Sequence, residues 1–339
     1  MRVLVTGANG FLGSNLCADL ARDSALDVVG LVRPTSDLTF LNEIERLTTV
    51  VGDITRPESL VPAMEGVSIV YHVAGYSSDW GPWEAFRAGN VDGVRNVMTC
   101  AREKGVRRVV HISSVSVYGF PGGADIEEDT PFTPRPNDRY ITTKAEGERV
   151  ALKFNGHGLE TAVVRPGGVF GPNDRTTTLQ LAPVLTGGKF GHVDGGVHLM
   201  APAYVDNVVQ IIRLAGEAPN APGQAFNAVD DGRTTWRQFI DWMCEDLACP
   251  SPRLSAPGAL VFSAAAAVEA GARLLGAKKS PLINKYRVRA VMRDSHYSSA
   301  KAKRMLGYRP KVATREGVRR AVAWYRAYDG ESEARGGRL

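Results

Sequence analysis

Short apolar runs alternate with amphipathic stretches through the first half of the chain. The runs at residues 3–6, 27–32, 48–52, 68–72, 108–113 and 161–165 are rich in β-branched residues, and several are nearly continuous, as expected of strands buried on both faces. Between them, residues 11–22, 57–64, 83–104 and 140–155 carry apolar positions at helical spacing. This alternation predicts an α/β fold, a doubly wound parallel sheet covered by helices. After Pro172 the apolar runs shorten, and Gly187-Gly188, Gly195-Gly196 and residues 219–222 punctuate them with turns. The expected division is a first domain over residues 1–170, rejoined by residues 198–230. Residues 171–197 and 231–329 then make a smaller, mainly helical domain, and the mostly polar residues 330–339 a frayed tail.

The connection between the first strand and the first helix, Thr6-Gly7-Ala8-Asn9-Gly10-Phe11-Leu12-Gly13, has the chemistry of a phosphate cradle. Gly7 permits the tight turn, Gly10 lets backbone N–H groups approach a pyrophosphate, and Gly13 lets the helix pack closely on the strand. The helix N-terminus adds partial positive charge. A strand before and a helix after supply the context that a lone glycine motif lacks. The second strand ends in Val32 with Arg33 following, where sites selective for NAD carry an acid. No carboxylate is there to repel a 2′-phosphate and a guanidinium is placed to bind one, which favours NADP(H) over NAD(H). The alternative is a solvated Arg33 and an enzyme that takes either cofactor. Asp53-Ile54, after the third strand, is positioned for an adenine edge, and Asp53 could equally cap the helix at Pro57.

Ser113-Ser114 ends a buried strand, and Tyr140-Ile141-Thr142-Thr143-Lys144 begins a helix, so Tyr140 and Lys144 project from one face. Bringing a phenol from a pKa of about 10 to near 7 takes about 4 kcal/mol of preferential phenolate stabilisation. An adjacent ammonium and an oxidised nicotinamide ring can provide it together. Lys144 can also hydrogen-bond the nicotinamide ribose, and Ser114 can donate to the substrate oxygen as charge develops there.

TGANGFLG at residues 6–13, HISSVSVYG at 111–119, YITTK at 140–144 and RPGGVFGP at 165–172 resemble the extended short-chain dehydrogenase/reductase family, over essentially the whole chain. The resemblance implies a Rossmann-type sheet, Tyr140 as general acid/base, Lys144 assisting it, and a serine polarising the carbonyl. Among Ser113, Ser114 and Ser116, the match to Ser-x-x-x-Tyr-Gly favours Ser114. It extends the cofactor site to Asn9, Phe11, Leu12, Ala74, Asn90, Pro166 and Val169, with Asn90 acting structurally or in proton relay. It also implies a homodimer through helices 83–104 and 140–155. A second Tyr-x-x-x-Lys, Tyr297 to Lys301, has no glycine loop or serine-bearing strand leading into it. The closer resemblance is to the 3β-hydroxysteroid dehydrogenase-like branch, which includes sterol-4-carboxylate dehydrogenases and 2-alkyl-3-oxoalkanoate reductases. It is carried by DWGPW at 79–83, TWRQF at 235–239 and SAKAKRMLGYRP at 299–310.

The family's nucleotide-sugar enzymes resemble one another in an asparagine that here is Gly168, and in an Arg-Asp pair that here is Met200-Ala201. Without those side chains a diphosphate loses its clamps. The expected pocket is apolar instead, lined by Trp80, Trp83, Phe120, Pro121, Phe170, Phe190, Leu199 and Met200, with Ser116 nearby. The activity implied is exchange between a secondary alcohol and a ketone on a small apolar substrate. A nucleotide-sugar epimerase or reductase and a non-catalytic NADPH-binding protein are the alternatives.

Composition narrows the rest. A hydrophobic share of 44% excludes global disorder. The charge of +5 is spread along the chain rather than gathered in a stripe, so no nucleic-acid partner is expected. Cys17, Cys100, Cys244 and Cys249 are scattered, without a disulfide framework or metal spacing, and no HxH or HExxH exists, so no metal is expected. His72 and His111 are expected to be satisfied core residues. No Gly-x-Ser-x-Gly occurs. No export signal precedes the first strand, and the apolar stretch 256–268 is too short to span a bilayer, so a cytoplasmic location is expected. Residues 256–275 predict a mostly apolar helix followed by Lys278, Lys279, Lys285, Arg287, Arg289 and Arg293. The segment 256–293 reads first as a lid or core helix beside solvated charges, and second as a weak membrane-surface contact.

Overall fold

The computed structural model describes residues 1–133 and 138–334. The first half runs β1 (Arg2–Thr6), α1 (Phe11–Ala21), β2 (Asp27–Val32), β3 (Leu47–Val51), α2 (Pro57–Leu60), β4 (Ile69–His72), α3 (Trp83–Arg87), α4 (Gly93–Glu103), β5 (Arg108–Ile112), α5 (Arg139–Lys153) and β6 (Glu160–Pro166). It continues through β7 (Gly168–Phe170), α6 (Thr178–Thr186), β8 (His192–Val193), β9 (Pro202–Tyr204), α7 (Val205–Glu217), β10 (Ala225–Ala228) and α8 (Trp236–Leu247). The last elements are β11 (Ser255–Ala256), α9 (Gly258–Leu274), α10 (Lys285–Val291), α11 (Ala300–Leu306) and α12 (Thr314–Ala334).

Seven strands form one parallel sheet in the order β3-β2-β1-β4-β5-β6-β10. Val3, Leu4 and Val5 of β1, Val28 and Val29 of β2 and Val109 and Val110 of β5 have no exposure, because helices cover both faces. One core lies under α1 and α7, and another under α2 and α4. Chain order reverses between β1 and β4, so a crevice opens at their carboxyl ends, where ligands of such sheets bind. The register pairs Thr6 with His72, which sets the loop after β1 against the loop after β4. Helices α6, α8 and α12 pack together as a bundle beside the sheet, while α9 and α10 form a hairpin of their own.

Two expectations change. Residues 83–103 are helical without interruption, but not as one regular α-helix: a π-helical turn, Ala88–Asp92, lies between α3 and α4. Residues 330–334, expected in the frayed tail, instead continue α12 to Ala334, since Glu and Ala favour helix; residues 335–339 lie outside the described residues.

A buried ion pair fixes the sheet to α5. Arg165 of β6 makes a fork to Glu148, with Nε to both carboxylate oxygens at 3.1 Å. It also donates to the Tyr118 hydroxyl and to the Glu128 carbonyl. Tyr118 passes the chain on to Asn227 of β10 at 2.8 Å.

Candidate active site

Gly7 has φ of 67°, and a Cβ there would stand 2.8 Å from Ala74 Cα, so only glycine lets the two loops touch. A Cβ on Gly13 would lie 2.1 Å from the Gly7 carbonyl oxygen. Helix α1 begins at Phe11, and its N-cap Gly10 offers no side-chain bond. The first-turn N–H groups of Phe11 and Leu12 therefore face the crevice, with Asn9 half-buried on its rim. This is a cradle that fits the pyrophosphate of a nicotinamide dinucleotide.

At the far end of the crevice, Val32 is buried and Arg33 exposed, its backbone N–H bonded to Ser36 Oγ at 3.0 Å. Asp53 does not cap the helix at Pro57; its Oδ1 takes the Thr55 N–H and hydroxyl, both at 2.8 Å. Partial burial works to raise the Asp53 carboxyl, but those bonds and the charges of Arg33 and Arg56 outweigh it and the net shift is downward. Ile54 is buried in the core under α2 and α4.

Three elements bring the catalytic set together. Ser114 follows β5 and caps a single 3-10 turn, Val115–Tyr118, its Oγ accepting from Ser116 N at 3.1 Å. Tyr140 stands in the first turn of α5, capped by Asp138, which accepts from Ile141 N at 3.2 Å. Ser114 and Ser77, the latter from the loop after β4, act on the Tyr140 phenol from two sides of the site, each favouring its ionised form. Lys144, one turn along and buried, donates to the Ile112 carbonyl at 2.8 Å rather than to the phenol.

The electrostatics differ from the simple expectation. Burial pushes the Tyr140 phenol above its ordinary value; the hydroxyls of Ser114 and Ser77 pull against this, and Asp138 adds to the rise. Burial brings Lys144 down to about 8, with Glu148 opposing. His72 is held at about 3 by burial and by Lys144, and bonds Thr6 Oγ1 at 2.8 Å. The expectation of two satisfied core histidines is corrected: among the described residues His111 has no partner for either ring nitrogen and His72 none for Nε2, and burial, His72 and Lys144 keep His111 neutral. Ser113 and Ser116 are buried, with hydroxyls that find no partner among the described residues.

Asn90, in the π-helical turn, spends its side chain on protein. Its Oδ1 accepts from Tyr76 N at 2.8 Å, and its Nδ2 donates to Tyr76 O at 3.2 Å and Thr143 Oγ1 at 3.1 Å. It is a positioning residue, tying the Ser77 loop to α5. Pro166 and Val169 lie at the end of β6 and in β7, at the same carboxyl edge.

A cavity of ≈ 240 Å³ opens beside Tyr140, between the loop after β4 and the α9–α10 hairpin. Its walls correct the expected apolar pocket. Trp80 lines it, and Phe120 stands just behind, edge-on to Tyr286 at 5.6 Å. Phe170 and Met200 are instead buried in the main core, where Phe170 packs edge-on against Tyr204 and Phe239. Phe190 packs on the same core and against His192, and Trp83 opens α3 outside the lining. The motif's nearness in sequence did not reveal which way these side chains point.

Sequence reasoning missed Ser77, Asp79 and Tyr286. The Tyr286 ring is edge-on to Tyr140 at 5.9 Å, and burial drives its phenol well up. The cavity's carboxylates have partners: Asp79 with Arg287 at 2.6 Å and Asn284 at 2.8 Å, Glu269 with Arg273 at 3.0 Å and Lys285 at 3.5 Å, Asp138 with Arg289 at 3.5 Å; Arg139 of the same wall donates to the Gly81 carbonyl. Glu269–Arg273 is an ordinary i,i+4 pair within α9, but no local pattern announces the links of Asp79 and Asp138, which span well over a hundred residues. The second Tyr-x-x-x-Lys stays out of the site: Tyr297 is buried against Tyr118, stacked at 5.3 Å, and Lys301 lies over Phe226. Among the described residues no cluster of metal-ligating side chains exists.

A family model described as NAD dependent epimerase/dehydratase family matches residues 3–228. The 3beta-hydroxysteroid-dehydrogenase/decarboxylase isoform 1 of Arabidopsis thaliana is 31% identical over 343 residues, covering 94% of this chain and 78% of that protein. The 2-alkyl-3-oxoalkanoate reductase of Shewanella oneidensis is 29% identical over 338 residues, covering 94% of this chain and 85% of that protein. Among solved structures, that of gox2253 superposes with a TM-score of 0.81 at 28% identity, over 96% of this chain and 98% of its own.

Proposed function

The chain belongs to the NAD dependent epimerase/dehydratase family, and from that premise we propose that it exchanges hydride between NADP(H) and a secondary alcohol or ketone on an apolar substrate, with Tyr140 as the general acid/base. It is an NAD(P)-dependent short-chain dehydrogenase/reductase acting on CH–OH groups. The observation that carries the finer reading is the Tyr140 phenol, under the influence of Ser114 and Ser77 with Lys144 one helical turn away on α5, in a fold that carries a glycine cradle.

In the reductive direction Tyr140 donates its proton to the carbonyl oxygen while the Ser114 hydroxyl holds that oxygen and stabilises the charge gathering on it. A bound nicotinamide supplies the hydride and, once oxidised, a positive charge near the phenolate. Ser77 keeps the phenol aimed, and the Lys144 ammonium, already depressed towards neutrality by burial, lends positive charge from the next turn. Trp80 and Tyr286 offer aromatic faces to an apolar body, while the surrounding charges are occupied with each other. Preference for NADP(H) rests on Arg33 following a strand that ends without a carboxylate. The names of the Arabidopsis and Shewanella relatives, a hydroxysteroid enzyme and an oxoalkanoate reductase, favour an apolar ketone. A nucleotide-sugar epimerase is disfavoured because Gly168 has no side chain and Met200 is buried in the core, so neither can hold a diphosphate.

The test is a panel of steroids, 3-oxo acids and aryl ketones followed by NADPH and NADH absorbance. NADPH should be consumed faster than NADH, and Tyr140→Phe should lower kcat by about a thousandfold with nucleotide binding intact. Retained turnover in that variant removes Tyr140 from its role. Interconversion of a nucleotide sugar without net cofactor consumption would replace the reading with an epimerase.

A further inference from the structure

Helix α9 is amphipathic in the wrong sense. On a helix packed against a globular domain the charged face meets solvent and the apolar face is buried. Here the exposed positions between residues 259 and 270 are Ala259, Leu260, Ser263, Ala264, Ala267, Val268 and Ala270, none of them charged. The one carboxylate, Glu269, is turned inward to Arg273 and Lys285. The helix ends in Leu274 and Leu275, 89% and 88% exposed, and the link to α10 adds Leu282 at 80% and Ile283 at 49%. Seven of the eleven large hydrophobic side chains exposed among the described residues fall between positions 254 and 283. Such a concentration marks a surface built to be covered.

We propose that the tip of the α9–α10 hairpin, residues 274–283, docks on an anionic phospholipid surface. Charge complementarity selects that occupant. From residue 270 to 293 the chain has no acidic side chain, and Lys278 and Lys279 stand exposed between the leucine pairs without an ion pair among the described residues. Four aliphatic side chains around two ammonium groups match a bilayer boundary, where the leucines enter the acyl region and the lysines reach the phosphates. A second copy of the chain fits less well, because a two-fold contact through this tip would set the lysines of each copy against each other.

The same hairpin walls the cavity beside Tyr140 through Glu269, Arg273, Asn284, Lys285 and Tyr286. The tip is fastened there by Trp80, whose Nε1 donates to Ala277 O at 2.8 Å and whose ring lies under Arg273 at 4.7 Å. Docking would bring the cavity's rim to the lipid, a direct route for an apolar molecule. The surface itself does not depend on the reaction assigned to Tyr140.

The experiment is co-sedimentation of the full chain with vesicles of phosphatidylglycerol and phosphatidylcholine at low salt, with phosphatidylcholine alone as the second arm. The intact protein should sediment with the anionic vesicles and be released by salt. Leu274→Ser with Leu275→Ser should lower partitioning at least about tenfold, and Lys278→Gln and Lys279→Gln about fivefold each. All three variants should keep the intact protein's thermal midpoint and its affinity for NADPH, which separates lost docking from lost folding. Three results overturn the assignment: intact protein that stays in the supernatant with anionic vesicles, binding that the leucine variant does not diminish, or a dimer that only the leucine variant dissociates. The last would give the face to a second copy.

Discussion

Gly13→Ala separates the glycine loop's role as a phosphate cradle from its role as an ordinary helix start. In an unconstrained helix this substitution stabilises by about 1 kcal/mol, because glycine gives up more backbone freedom than alanine. In α1 the new Cβ would sit 2.1 Å from the Gly7 carbonyl oxygen and 2.9 Å from its carbon, against an ordinary contact of 3.4 Å or more. Neither neighbour is a side-chain end that could rotate away. The turn cannot simply recede either, since Gly7 is already pressed against the Ala74 backbone. Relief therefore means moving the start of α1 by more than about 1 Å, whereas useful N–H···O distances span only about 0.5 Å. The Phe11 and Leu12 N–H groups would lose a bound pyrophosphate. Two charge-assisted bonds at about 1.5 kcal/mol or more each come to about 3 kcal/mol, roughly a hundredfold in Kd. Titration of NADPH by calorimetry reads this directly, with thermal unfolding in the absence of nucleotide as the companion measurement. The expected outcome is weakened binding together with a lowered melting midpoint. A variant that binds NADPH within threefold of the parent and melts higher would show helix propensity winning, and the cradle would have to be sought elsewhere.

Two further perturbations test the buried charges around α5. With Lys144 at about 8, below its usual 10.5, kcat/KM for reduction should fall as pH rises through 8, when the neutral amine stops supporting the phenolate. Lys144→Arg, which stays charged, should carry activity further into alkaline solution, and a parent profile level well above pH 8 would discard the role. The stability sign runs the other way: the unfolded chain binds the proton more tightly, so folding strengthens between pH 8 and 10.5. Lys144→Met should then stabilise at neutral pH, by up to about 3 kcal/mol, while abolishing turnover. For the ion pair, Glu148→Ala leaves Arg165 buried without its carboxylate and should cost about 3–5 kcal/mol in urea unfolding. A loss under about 1 kcal/mol would mean that Tyr118 and the Glu128 carbonyl suffice for the guanidinium.

The parts legible in the sequence are those encoded by short-range rules. Strand alternation, the glycine loop and the one-turn spacing of Tyr140 and Lys144 each depend on residues within about ten positions of one another. Ser114 is singled out among three serines by the match to Ser-x-x-x-Tyr-Gly, and it caps the turn that follows β5. What stayed hidden depends on how distant elements dock. Tyr286 meets Tyr140 where Asp79, from the loop after β4, holds Arg287 and Asn284 of the α9–α10 hairpin. Phe170 and Met200 looked like pocket residues from their neighbours in the chain, yet packing of α8 and α12 against β7 and β9 claims them for the core. At α9 a mostly apolar stretch gives no hint of which face stays uncovered.

The irregular turn in the predicted 83–104 helix is where local preference gives way to the site. A continuous α-helix through residues 88–92 would satisfy every backbone bond with ordinary spacing, and nothing in the residue types forbids it. The π-helical turn widens the coil by one residue and sets Asn90 facing two elements at once. Its side chain closes three bonds, to both backbone groups of Tyr76 and to Thr143, and uses all of its amide donors and an acceptor in doing so. Tyr76 precedes Ser77, and Thr143 lies between Tyr140 and Lys144 on α5. One asparagine thus sets the distance between the serine that aims the phenol and the helix that carries it. Gly147 completes the fit: a Cβ there would stand 2.0 Å from the Asn90 carbonyl oxygen, so α5 can approach the turn only without one. The irregular turn and the bare helix face answer each other, and together they bring Ser77 within reach of Tyr140.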